Sequence, residues 1–245
     1  MARYIKKIGI ELEVGTFYDE NGNVPTFNKF NVTHDGSINT TGLSAETARE
    51  YVSVPVSFKS DWENPEMREL EDSIYELYNH AGVEVNSSMG LHVHVSFYQD
   101  FFKTALFCKE FNELLLQKVK ESELYDKYDT LHERMDGERR YAKPVTNESM
   151  QNSLDSAGAS RYRHFTNRSQ TVEFRLFPAM KTHKEVKRAV QIITESINSF
   201  LYSKDYELEA VEELKLESKD KIPDTQNPSK QDLEEVIEYV WIIVP

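Results

Sequence analysis

From residue 5 to residue 15, apolar and polar positions alternate, with Ile8, Ile10, Leu12 and Val14 set against Gly9, Glu11 and Glu13. That period of two predicts a strand. Turn signals follow, Asn21-Gly22 and Asp35-Gly36. Tyr51 to Phe58 predicts a second strand, in which Pro55 demands an edge or a bend. Met67, Leu70, Ile74, Leu77 and Ala81 then step by three and four, a helical stripe that Gly82 is placed to end. Leu91 to Tyr98 predicts a strand, and residues 101–120 a more broadly apolar helix. The polar, Arg-rich stretch 121–170 predicts a long excursion over an active site. Thr171 to Phe177 predicts a strand stopped by Pro178, and Val186, Val190, Ile193, Ile197 and Phe200 share one face of a third helix. Residues 203–235 are charged, carry Pro223 and Pro228 and predict a linker, after which the apolar run 236–245 is expected to dock back. Strands with interspersed helices and no internal repeat imply an α+β fold, mainly antiparallel, with the helices on one face.

Alternation also sorts the polar residues of four strands onto one side. Glu11 and Glu13 oppose Ile10, Leu12 and Val14; His92 and His94 oppose Leu91, Val93 and Val95; Glu173 and Arg175 oppose Val172, Phe174 and Leu176. Glu50 opens the run Tyr51-Val52-Ser53-Val54. Each motif alone has an ordinary reading: a solvated outer face for Glu-x-Glu, a cross-strand pair for Glu-x-Arg, a plain turn for Asp35-Gly36-Ser37. In one sheet, however, they gather four carboxylates, two imidazoles and a guanidinium on a single face. Clustered carboxylates repel and are costly to desolvate unless cations are present. Carboxylates with one or two imidazoles suit Mg²⁺ or Mn²⁺.

Composition narrows the function classes. The 245 residues suffice for one large domain or two small ones, and 39% apolar with 11% aromatic residues describes a globular chain. Lys plus Arg number 29 against 42 Asp plus Glu, a formal charge of −13, which argues against a nucleic-acid partner. Local arginines can still receive a small anion. The single cysteine, Cys108, has no internal disulfide partner. No apolar stretch reaches membrane-spanning length and Met1 to Lys7 leads into no signal-peptide run, so the expected compartment is the cytoplasm, with no membrane partner.

The ordered motifs Gly-Ile-Glu-Leu-Glu (9–13), His-Asp-Gly-Ser-Ile (34–38), Glu-Tyr-Val-Ser-Val-Pro (50–55), Gly-Leu-His-Val-His-Val (90–95) and Thr-Val-Glu-Phe-Arg-Leu-Phe (171–177) resemble the amidoligase family. That family is a branch of the glutamine synthetase and glutamate–cysteine ligase superfamily, often found in phage and bacterial gene clusters. Arg161 to Asn167 resembles its Arg-rich approach to the last strand, and the resemblance covers residues 5 to 202. It implies a glutamine-synthetase-like catalytic domain over residues 1–202, a curved sheet with helices on one face and the active site on the other, followed by a segment 203–245. It implies Glu11, Glu13, Glu50, His92 and Glu173 as metal ligands, with Arg175, Glu13 and His92 catalytic. Asp35, Ser37, His94, Arg139, Tyr141, Arg161, Arg163, Asn167 and Arg175 would bind nucleotide or substrate. Relatives show Ser-Pro-Pro after the second-strand Glu where this chain has Ser53-Val54-Pro55, which leaves Glu46 as a substitute for Glu50.

The implied chemistry is an ATP-dependent, ADP-forming carboxylate–amine ligation through an acyl phosphate, with Mg²⁺ or Mn²⁺ as cofactor. The partners would be ATP, a small-molecule or peptide carboxylate and an amine, and the superfamily's rings leave assembly into an oligomer open. One rival is a zinc hydrolase using His92 and His94, although His34, His80, His132, His164 and His183 show no supporting ligand spacing. The other is a binding protein that keeps the fold without turnover.

Overall fold

Strand β1 (Ile5–Thr16) is the centre of a seven-stranded antiparallel sheet in the computed structural model, which describes residues 4–59, 62, 64–137 and 163–219, with side chains to residue 204. On one side of β1 lies β5 (Leu91–Phe97), then β7 (Val172–Phe174) and β6 (Phe165–Asn167). On the other side lies β3 (Thr47–Ser53), flanked by β2 (Phe30–Thr33), while the short β4 (Val56–Ser57) pairs with the start of β1. The strand expected over 51–58 therefore begins earlier and divides at Val54-Pro55, as a residue without a ladder donor requires. Strand β2 lies in the stretch read as turns. It is too short for alternation to reveal it.

The register fixes which side chains share a face. Ile10 pairs with Val93 and Leu12 with Leu91 and Tyr51, while Val93 pairs with Phe174 and Phe174 with Phe165. All are buried in one apolar cluster with the inward faces of the helices. Helix α1 (Pro65–His80) starts at Asn64, whose side chain accepts from the Met67 amide, with Pro65 in the first turn. It contributes Met67, Leu70, Ile74 and Leu77, and the chain leaves it through Gly82 at φ +61°, where a Cβ would lie 2.8 Å from the Phe17 ring.

The helix expected over 101–120 is two: α2 (Asp100–Ala105) and α3 (Lys109–Lys120). The break, residues 106–108, holds the buried Phe107, and Phe111 follows in the first turn of α3; both pack on Phe165, and Phe111 also meets Phe174 and Phe200. A larger correction concerns 121–170. Its first part forms α4 (Glu123–Lys127) and α5 (Asp129–Met135), which bury Leu124, Leu131 and Met135, so it belongs to the core. Leu124, Tyr128, Leu131 and Met135 step by four, three and four, a stripe masked by the charge between them. The expected excursion over 138–162 lies outside the described residues.

Helix α6 (His183–Lys219) opens on a capping Thr182, whose hydroxyl accepts from the Glu185 amide. It corrects the linker expected from 203. Residues 203–219 hold no Pro or Gly and are rich in Glu, Leu and Lys, so the helix continues. The docking expected of 236–245 lies outside the described residues. The chain divides into two units, Met1–Leu201 and Tyr202–Pro245, and the sheet belongs to the first. No helix among the described residues is long and apolar enough to cross a membrane.

A polar knot is buried within this core. The Arg134 guanidinium of α5 donates to the carbonyls of Met89 (3.0 Å), Arg175 (3.0 Å) and Phe177 (2.9 Å). His164 is fully buried, with Nε2 3.0 Å from the Arg134 carbonyl and Nδ1 3.1 Å from Asn112 Oδ1. Burial pushes the His164 imidazole down to about 4. Between about pH 6.5 and 4 the unfolded chain then takes up a proton that the folded chain refuses. The His164 contribution to stability is expected to fall as pH falls through that window, by on the order of 3 kcal/mol, and to level off below it. Denaturant melts of the wild type and His164→Gln at pH 7, 5.5 and 4.5 check this. The variant should lose most of that slope, and identical slopes would acquit His164.

Candidate functional site

The opposite face of the sheet carries the polar set. Glu11 pairs in register with His92, Glu13 with Glu50, and His94 with Glu173, so four neighbouring strands deliver their ionisable residues to one patch. His92, only 4% exposed, is the hub. Its Nδ1 lies 3.2 Å from Glu11 Oε2 and 3.7 Å from Glu173 Oε1, and its Nε2 3.8 Å from Glu13 Oε1. His94 Nε2 sits 2.9 Å from Glu11 Oε1 outside hydrogen-bonding geometry, and its Nδ1 is 3.3 Å from Thr171 Oγ1.

Two groups of potential ligand atoms result, Glu11–His92–Glu173 and Glu13–Glu50–His92, each with its atoms within 4.8 Å of one another. Ligands on opposite sides of a Mg²⁺ stand about 4.2 Å apart, twice the usual 2.1 Å bond, so these spans need only slight tightening. Carboxylate oxygens with a single imidazole per group are the donor set of a hard divalent ion. Each group holds one histidine, and neither joins His92 to His94 as a zinc pair would. Backbone fit matters too. A Cβ on Gly90 would stand 3.0 Å from His92 Nε2 and 3.3 Å from Glu13 Oε2, so only glycine lets the chain pass beneath this group unhindered.

The charges are unevenly compensated. Burial would raise the Glu11 carboxyl, but the hydrogen bond from His92 and the close approach of His94 outweigh it and hold it far below the usual carboxylate range. Burial likewise opposes the charge of Glu173, yet Arg175, His92 and Arg168 keep its carboxyl low. Arg168 Nε and Nη2 both lie 2.5 Å from Glu173 Oε2, and Arg175 Nη1 pairs with Oε1. Glu50 goes the other way, raised by burial and by the negative charges of Glu11 and Glu13 although Thr33 donates to it at 3.0 Å. Glu13 and Glu50 stand directly opposite on adjacent antiparallel strands, where like charges destabilise the pair. That half of the patch is where a cation would relieve most.

The remaining expected residues fall at varied distances from this patch. Asp35 sits in an Asx turn, its carboxylate accepting the Ser37 amide at 2.7 Å; that bond, above all, lowers its carboxyl, with a smaller share from His92. Ser37 is exposed on the same turn. Arg163 is half-buried just before β6, and Asn167 pairs in register with Val172, on the side opposite Glu173. Arg139, Tyr141 and Arg161 lie outside the described residues. Glu46 precedes β3 and its carboxylate accepts the Tyr18 amide at 2.9 Å, so Glu50 is the acid on the polar face. Sequence reasoning missed Arg168, Thr33 and Gly90. Pairing 165–167 with 172–174 as a hairpin would have brought Arg168 beside Glu173, because the four-residue connection is closed by the Arg168 amide on the Thr171 carbonyl at 2.8 Å.

A scan against protein-family models and searches of curated proteins and of solved structures find no match to this chain.

Proposed function

We propose that the protein is an ATP-dependent carboxylate–amine ligase of the amidoligase kind, with a glutamine-synthetase-like catalytic domain. The observation that carries this reading is the sharing of His92 by two three-residue donor groups on one sheet face. Further support is the Glu13–Glu50 pair, whose directly opposed like charges a divalent cation would offset. Glu11, Glu13, Glu50, His92 and Glu173 would hold Mg²⁺ or Mn²⁺. When bound, such ions offset charge on the ATP phosphates during passage of the γ-phosphoryl group to a carboxylate oxygen.

The chain's own residues then have defined tasks. Arg175 presents a planar fork beside the acidic patch and would hold the transferring phosphoryl group. His94 braces Glu11 and Thr171, which fixes the carboxylate that His92 also touches. No side chain need act as a covalent nucleophile, since positioning and charge account for phosphoryl transfer of this type. The zinc-hydrolase reading lacks a matching donor group among the described residues.

The test incubates the protein with ATP, Mg²⁺, a pool of amino-acid and peptide carboxylates, and hydroxylamine, then separates nucleotides and hydroxamates by chromatography. ADP and a hydroxamate should form together, and only when carboxylate, ATP and Mg²⁺ are all present. AMP would mean adenylation and defeat the acyl-phosphate mechanism. ADP without carboxylate dependence would reduce the protein to a nucleotide hydrolase.

A further inference from the structure

Glu173 is 1% exposed and both its oxygens are engaged by arginines, Oε2 by Arg168 through two nitrogens and Oε1 by Arg175. The same residue belongs to the Glu11–His92–Glu173 donor group. A divalent cation entering that group meets a carboxylate already neutralised, so cation and guanidinium compete for it. The two arginines are not equally able to yield. Arg175 is 16% exposed, with its amide bonded to the His164 carbonyl at 2.8 Å and its carbonyl held by Arg134 at 3.0 Å. Arg168 is 35% exposed and rides on the 168–171 turn. Arg168 is therefore the one that can swing away.

We propose that Arg168 is a displaceable counter-ion of Glu173, which a divalent cation replaces, and that the freed guanidinium beside Arg175 then receives an oxyanion. The inference rests on the divalent-cation reading of this site and adds an order of assembly to it: cation first, anion second. Charge drives the exchange. A divalent ion beside two guanidiniums makes the neighbourhood strongly positive and repels the mobile arginine from Glu173. The same excess of positive charge attracts a phosphate or carboxylate, for which a planar fork is well shaped. Arg175 Nε is already a buried donor without an acceptor, a spare N–H at the point where such an anion would sit. Cation and anion affinities would then be linked, each strengthening the other by the same factor.

Calorimetric titration of Mn²⁺ into wild type, Arg168→Ala and Arg168→Lys, with and without inorganic phosphate, tests this, and thermal melts establish that each protein is folded. Without phosphate, Arg168→Ala should bind Mn²⁺ about tenfold more tightly than wild type, because the competitor is gone. Arg168→Lys keeps the charge but loses the two-nitrogen grip, and should fall between them. With phosphate, the wild-type affinity should rise several-fold while Arg168→Ala gains little. A merely structural Arg168 would weaken Mn²⁺ binding in both conditions. Mn²⁺ binding by Arg168→Ala equal to or weaker than wild type, without phosphate, overturns the proposal and leaves the cation reading standing. Absence of Mn²⁺ binding in all three folded proteins overturns both.

Discussion

Glu11→Gln is expected to weaken Mn²⁺ binding by about a hundredfold or more, roughly 2.7 kcal/mol, while leaving the protein folded. The substitution keeps shape and removes charge at the carboxylate that both His92 and His94 face, at 3.2 and 2.9 Å. It should also cost the fold about 1.5–3 kcal/mol, because the Glu11 charge that His92 and His94 favour is lost although an amide oxygen still accepts from an imidazole. Thermal melts of the same preparations separate the loss of stability from the loss of affinity. Combining it with Glu173→Gln should abolish calorimetric binding altogether, but with a larger stability loss, because Arg168 and Arg175 would then face a neutral amide. Mn²⁺ should raise the melting temperature of wild type and not of the double variant, as selective binding to the folded state requires. Equal Mn²⁺ affinity in wild type and Glu11→Gln would remove Glu11 from the ligand set.

Arg134→Leu should produce the largest loss of stability, about 3–5 kcal/mol. Arg134 is 5% exposed, and its guanidinium supplies donors to three backbone carbonyls. The Met89 and Phe177 carbonyls keep a second donor each, from the Ala179 and Leu91 amides, whereas among the described residues the Arg175 carbonyl accepts only from Arg134. Leucine would leave the Arg175 carbonyl without its donor, weaken the hold on the other two and vacate part of the space. The same carbonyls belong to the segments that deliver Gly90 and Arg175 to the polar face, so surviving Arg134→Leu protein should also bind Mn²⁺ more weakly than wild type. Arg134→Lys should recover only part of the loss, since one ammonium lacks the planar fork that reaches three acceptors. Chemical denaturation gives the stability and calorimetry the affinity. A loss below about 1 kcal/mol would mean that other donors or water replace the guanidinium.

Alternation along β1, β5 and β7 was enough to assign Glu11, Glu13, His92, His94 and Glu173 to one face, because the side-chain period of a strand is fixed by backbone geometry. Helix α1 was legible for the same kind of reason, with a regular apolar stripe and Gly82 placed to end it. Elements without a clean period are not legible in this way. Strand β2 is four residues long, and α4 and α5 hide a short apolar stripe under charge. The charge of 203–219 suggests a linker, although charge and helix propensity coexist in Glu-, Lys- and Leu-rich sequence. Strand order, and with it the meeting of Glu13 with Glu50 and of Arg168 with Glu173, was decided by the tertiary structure. So was the reach of Arg134 from α5 to three carbonyls far away in sequence. Local periodicity tells which way a side chain faces, since that depends on a residue's own backbone. Which neighbours it faces depends on long-range pairing, and that is set by the packing of the whole core.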